Sequence, residues 1–176
     1  LVEDSTKVMK VGRQPWAPRP GGGLREIAGM LEAHELVTTG EPTDRLALPW
    51  ELRRKSRLRA TTAAGAAVGV FLPRGTVLVE GSLLRTTDGH IVAVEAAAED
   101  VSTIRSLDPL LLARVAYHLG NRHIRTQIGA GFLRYRHDRA LDDLVRDLGG
   151  VVDVEEAPFE PERGTMDHAP DHDHAP

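Results

Sequence analysis

At 176 residues, 41% hydrophobic and 27% charged, the chain has the composition of a globular protein with one ordinary domain or two small ones. It has no cysteine, which excludes disulfides, thiolate nucleophiles, iron–sulfur clusters and cysteine-ligated zinc, so any metal must be held by histidine, carboxylate or backbone. The net charge of −4 is unevenly spread: residues 151–176 hold eight acids against Arg163, a local −7, which leaves +3 on the rest.

The first 37 residues read as an N-terminal extension. Up to residue 29 they carry Pro15, Pro18, Pro20 and Gly21-Gly22-Gly23 with little periodicity, a composition that favours disorder, and Met30 reads as the start of the domain proper. Residues 38–98 read as a small all-β module. Short apolar runs at 46–48, 56–62, 68–72, 77–84 and 91–96 are separated by Gly65, Pro73-Arg74-Gly75, Gly81 and Asp88-Gly89. Within it lies a basic run, Arg53, Arg54, Lys55, Arg57 and Arg59, whose simplest placement is a solvated face or a docking surface for a partner.

From residue 99 to 158 the pattern changes. A strand at 101–105 leads to a helix at 109–119, capped by Asp108, opened by Pro109 and closed by Gly120. Strands follow at 123–128 and 132–136 around a Gly129-Ala130-Gly131 turn. Asp138 can then cap a second helix with Leu141, Leu144, Val145 and Leu148 on one face, closed by Gly149, before a last strand at 151–154. This β-α-β-β-α-β order predicts a ferredoxin-like domain, so the chain as a whole is expected to be α+β. Residues 159–176 have little to bury and read as a disordered acidic tail that contains histidines.

The candidate ligands are histidines. His118 in the last helical turn and His123 beyond the Gly120-Asn121 turn sit at a junction held by secondary structure on both sides, which suits a ligand position. A histidine there could equally serve the helix end, where a cation suits the dipole. His137 closes a strand and, taken alone, reads as a polar residue at a strand end. In the tail, His168, His172 and His174 alternate with aspartates, a compositional metal-binding signal open to nickel, copper, zinc or cobalt. Two histidines do not complete a site, and a two-fold dimer with His123 near its axis would supply more donors.

Other classes find less support. Aromatics are only 4%, and Phe132 and Tyr135 fall on opposite faces of their strand, so no stacking platform and no nucleic-acid partner is expected. No Gly-x-Ser-x-Gly, phosphate loop or His-Glu-x-x-His helix is present, and no carboxylate is expected beside the histidines as a general base, which disfavours a metal-dependent hydrolase. No apolar run approaches the roughly 20 residues of a membrane span and no secretory signal is visible, so the expected location is the cytoplasm, with no membrane partner.

Five segments carry a resemblance. Leu48-Pro49-Trp50-Glu51-Leu52-Arg53-Arg54-Lys55-Ser56-Arg57, Leu72-Pro73-Arg74-Gly75, Tyr117-His118-Leu119-Gly120-Asn121-Arg122-His123, Leu141-Asp142-Asp143 and Pro158-Phe159-Glu160-Pro161-Glu162 together resemble the UreE family of urease accessory proteins, from about residue 30 to 164. The resemblance implies a homodimeric nickel metallochaperone that supplies Ni²⁺ for assembly of the urease metallocentre, with Zn²⁺ or Cu²⁺ able to occupy the same ligands in vitro. It implies a β domain similar to a peptide-binding module of chaperones and a ferredoxin-like domain that dimerises and holds metal. His123 then matches the family's shared ligand, contributed by both subunits, and His137 a second histidine that some members use. Where some relatives have His-Asp-His, this chain has His137-Asp138-Arg139, and its tail holds only three histidines, which suits an auxiliary or delivery role. The implied partners are the urease accessory GTPase and the urease apoprotein complex. A rival reading is a chaperone whose β domain holds a partner peptide while metal is incidental.

Overall fold

In a computed structural model, the residues described are 30–163. The N-terminal arm up to residue 29 and the tail histidines His168, His172 and His174 lie outside them.

Apolar alternation builds the first sheet. Strands β1 (Leu31–Val37), β2 (Asp44–Leu48), β3 (Arg57–Thr61), β4 (Ala67–Phe71), β5 (Leu83–Thr86) and β6 (Ile91–Ala96) form six neighbours in the order β2-β6-β5-β1-β4-β3. They bury Ala33, Leu46, Leu48, Val68, Val70, Leu84, Val92 and Val94 in one core. Three features differ from the sequence reading. β1 sits inside the sheet although residues 31–37 were placed in the extension. Its pairing with β5 slips between Ala33 and Glu35, so its apolar residues change phase mid-strand and the period-two signal is erased. The run at 77–84 contributes only its end to β5, and the module expected to be all β contains a one-turn helix, α1 (Trp50–Arg53).

The second sheet is built from β7 (Ala98–Arg105), β8 (Thr126–Gly129), β9 (Phe132–Arg136) and β10 (Val152–Pro158), antiparallel throughout, in the order β10-β7-β9-β8. Helix α2 (Pro109–Gly120) connects β7 to β8 and α3 (Arg139–Asp147) connects β9 to β10. Ile104, Val115, Leu119, Leu133, Tyr135 and Val145 form their core. β10 runs four residues past the predicted 151–154, because it pairs with the whole length of β7, from Val152 opposite Ile104 to Pro158 opposite Ala98. No helix among the described residues is long and apolar enough to cross a membrane.

A third cluster, Trp50, Val101, Ala157 and Phe159, joins the two sheets. At its centre is Arg53, which is wholly buried and so does not share the solvated face predicted for the basic run. Its guanidinium donates to the Leu48 carbonyl (3.1 Å), the Leu78 carbonyl (3.4 Å), the Phe159 carbonyl and a Glu160 carboxylate oxygen (2.5 Å), 5.1 Å from the Trp50 ring centroid. A buried cation persists when its donors are satisfied in this way.

Candidate metal centre

Asp108 accepts a hydrogen bond from the Leu110 amide (2.9 Å), Pro109 opens α2, and the helix runs on through Gly120 rather than stopping there. The chain reverses three residues later. His123 has φ 56°, the one non-glycine residue with positive φ among the described residues. Its amide donates to the Gly120 carbonyl (2.9 Å) and the Ile124 amide to the Leu119 carbonyl (3.1 Å). These two bonds define a Schellman ending, in which the left-handed residue is usually glycine. α3 ends in the same way, with the Gly149 amide on the Arg146 carbonyl and the Gly150 amide on the Val145 carbonyl, and there the left-handed residue is Gly149 at φ 91°. Turn geometry alone would select glycine at 123, so the histidine has to be explained by its ring. The strand expected from 123 begins only at Thr126 because the reversal occupies 121–124.

His123 is exposed and lines a recess of about 320 Å³ with Trp50, Glu51, Ile124, Arg125, Arg136, His137, Asp138 and Leu141. His118, half-buried one turn earlier with Tyr117 edge-on to it at 5.4 Å, does not line this recess. The imidazole that shares this recess with His123 is therefore that of His137, at the junction of β9 and α3.

His137 is held by its backbone and by one ring nitrogen. Its amide donates to the Asp100 carbonyl (3.0 Å), and its Nδ1 lies 3.0 Å from Ser102 Oγ and 3.3 Å from Asp142 Oδ2. Asp142 is 2% exposed, and its other oxygen accepts from the Tyr135 hydroxyl at 2.7 Å. Burial, followed by the hydrogen bond to Asp142 and its charge, pushes the Tyr135 phenol well above its ordinary value, so it remains a donor. Asp142 is the functional candidate that sequence reasoning passed over. Its signal was an acid at the same helical face as Val145, where an apolar residue would be expected.

Three carboxylates lie near the histidines, Asp142 against His137 and Glu51 and Asp138 in the lining of the recess. Each is already engaged. Asp138 accepts from the Ala140 and Leu141 amides at 2.8 and 3.1 Å, and Glu51 faces Arg136 at 3.5 Å and Arg54 at 3.7 Å. Asp142 is enclosed. None is a free base for a substrate in the recess. The imidazoles of His123 and His137 are the ligand type there that suits nickel, copper and zinc, and among the described residues no three His, Asp or Glu side chains converge. Elsewhere, Arg54, Lys55 and Arg57 of the basic run line, with Arg74, a larger recess of about 590 Å³.

Comparison with known proteins agrees along the whole described length. Residues 24–97 match the N-terminal domain and residues 99–176 the C-terminal domain of the UreE urease accessory protein family. The chain is 55% identical over 136 residues to the urease accessory protein UreE of Alkalilimnicola ehrlichii, covering 77% of this chain and 83% of that one. Identity to UreE of Teredinibacter turnerae is 53% over 138 residues (77% and 90% covered), and to UreE of Proteus mirabilis 50% over 139 (79% and 86%).

Proposed function

Because the chain belongs to the UreE family of urease accessory proteins, whose two domain types it matches in order, we propose that its work as a nickel metallochaperone is done at the His123 corner. It is an accessory protein of urease maturation, and Ni²⁺ is its cargo. The observation that carries the placement is the exchange of glycine for histidine at a turn that favours glycine, which leaves an exposed imidazole on a backbone fixed from both sides.

One such imidazole is an incomplete site. Two copies related by a two-fold axis would bring two His123 rings to one ion, with His137 and the tail histidines His168, His172 and His174 as auxiliary or loading ligands. Support for a homodimer comes from α2, where Leu110 and Tyr117, 65% and 66% exposed and seven residues apart, form one apolar stripe leading to the His123 end. The order β10-β7-β9-β8 with α2 and α3 as connections supports a ferredoxin-like assignment for the second domain, after a β-rich first domain. The chemistry is ligand exchange rather than catalysis: a shared, open site can bind the ion and then release it to the next protein. The receivers are the accessory GTPase and the urease apoprotein complex, in the cytoplasm.

Isothermal titration of nickel into the purified full chain tests this, beside His123→Ala and a truncation after Gly164. Loss of the tightest site, at half a metal per chain, in His123→Ala is the expected result. If only the truncation removes binding, the metal belongs to the tail and the body is a protein-docking scaffold, which is the second reading that the β domain allows.

A further inference from the structure

The His137 ring is 31% exposed, and both oxygens that meet it do so at Nδ1. No hydrogen bond to its Nε2 is made among the described residues. Of the two oxygens, the Ser102 hydroxyl can donate or accept and so tolerates either ring tautomer, whereas a carboxylate only accepts. Asp142 Oδ1 already receives the Tyr135 hydroxyl. Oδ2 meets the Nδ1 edge of His137 at 3.3 Å as a charge contact, and the next cation, Arg146, stands farther off at 3.9 Å. With the proton on Nε2 instead, the Nδ1 lone pair would face the Asp142 carboxylate at 3.3 Å, a repulsion that a proton on Nδ1 turns into attraction.

We propose that Asp142 is a positioning residue for the nickel cargo: it fixes the proton of His137 on Nδ1, so that Nε2 offers its lone pair to the recess shared with His123. What that lone pair meets rests on the nickel reading above, but the tautomer is a property of the metal-free chain. The arrangement is built from three elements. Ser102 comes from β7, Tyr135 from β9, and Asp142 from α3, where Asp138, one residue after His137, caps the helix through the Ala140 and Leu141 amides. An acid set against the far nitrogen of a ligating imidazole also raises its basicity, and losing such an outer partner typically weakens metal binding by about 10–100-fold.

The test is nitrogen-15 NMR of the labelled, metal-free full chain at neutral pH, with His137→Gln used to assign the ring. Wild type is expected to show Nδ1 protonated and Nε2 bare, Ser102→Ala to keep that state, and Asp142→Asn to lose it to a mixture. Protonated Nε2 in the wild type, loss of the tautomer in Ser102→Ala, or its retention in Asp142→Asn overturns the proposal. If Asp142→Asn does not fold, the wild-type and Ser102→Ala spectra decide. Nickel titration supplies the second arm, with about tenfold or greater weakening expected at the site that includes His137. A shifted tautomer with unchanged nickel affinity overturns the positioning role and leaves the carrier reading intact. If the wild type binds no nickel, the carrier reading fails, and the metal role of Asp142 with it, whatever the tautomer.

Discussion

His123 occupies the position in its turn that Gly149 occupies in the matching turn of the other helix, and the two can be compared energetically. A left-handed backbone costs an L-residue about 1–2 kcal/mol, with histidine towards the tolerant end. Glycine removes that cost but returns about 0.4–1 kcal/mol through its freer unfolded chain. His123→Gly should therefore stabilise the metal-free protein by about 0.5–1 kcal/mol in urea unfolding while losing the tight nickel site. His123→Ala should lose the same site with stability nearly unchanged, since alanine keeps the backbone cost. A glycine variant less stable than wild type would mean that the ring itself holds the turn, and the residue could no longer be read as a ligand retained against local stability.

At the scale of elements, the second sheet is crossed by a polar network. Glu155 on β10 accepts from Arg105 on β7 at 2.8 Å and from Arg134 on β9 at 3.2 Å, and Arg134 also reaches Thr103 at 2.9 Å and the Pro158 carbonyl at 2.8 Å. Hydrogen bonding from Thr103 first, then from Arg105, holds the Glu155 carboxyl below its ordinary value of 4.5. A depressed acid contributes stability that is fully present above its unfolded value and is lost as pH falls through its folded one. The wild-type melting temperature should then fall more steeply between about pH 6 and 3 than that of Glu155→Gln, and parallel slopes would remove Glu155 from the account. Helices of this domain were legible because Asp108-Pro109 and Asp138 write their starts into the local sequence. Gly149 was legible as a stop for the same reason. Gly120 misled because the sequence shows a glycine where a helix could end, while the reversing residue is a histidine that carries no turn signal. β1 was missed because its bulge shifts the apolar phase, and Asp142 because an acid on an apolar face acquires meaning only when Tyr135 and His137 arrive from another strand.

Arg53 belongs to the whole molecule, and nothing in its neighbourhood of arginines and lysine distinguishes it. Charge runs signal a surface, and only the folded chain places this one guanidinium between two cores while Arg54 and Lys55 stay in solvent. Its four acceptors come from β2, from the loop holding Leu78, and from Phe159-Glu160 at the exit of β10, so one side chain fastens the first sheet to the end of the second. Glu160 is gripped further by the Glu80 amide at 3.1 Å, and its own amide donates to Gln127 at 3.1 Å. Arg53→Ala would take a donor from three carbonyls and from Glu160, but Leu48 keeps the Ala97 amide and Glu160, 30% exposed, keeps the Glu80 amide, so the loss falls at or below the lower end of the ~3–5 kcal/mol that breaking a fully buried ion pair costs. That loss falls on the junction rather than on either core, since neither the Val70 cluster nor the Leu133 cluster contains it. The expected outcome in scanning calorimetry is one cooperative transition for wild type and two separated transitions for Arg53→Ala, with the drop in Trp50 fluorescence accompanying the earlier one. A single transition at the wild-type midpoint would show that the halves are coupled through Trp50, Val101 and Phe159 packing alone. With two transitions, the corner proposed to hold nickel would keep His123 and His137, both on the second domain, while its orientation relative to the β domain became free, which separates binding of the cargo from its handover.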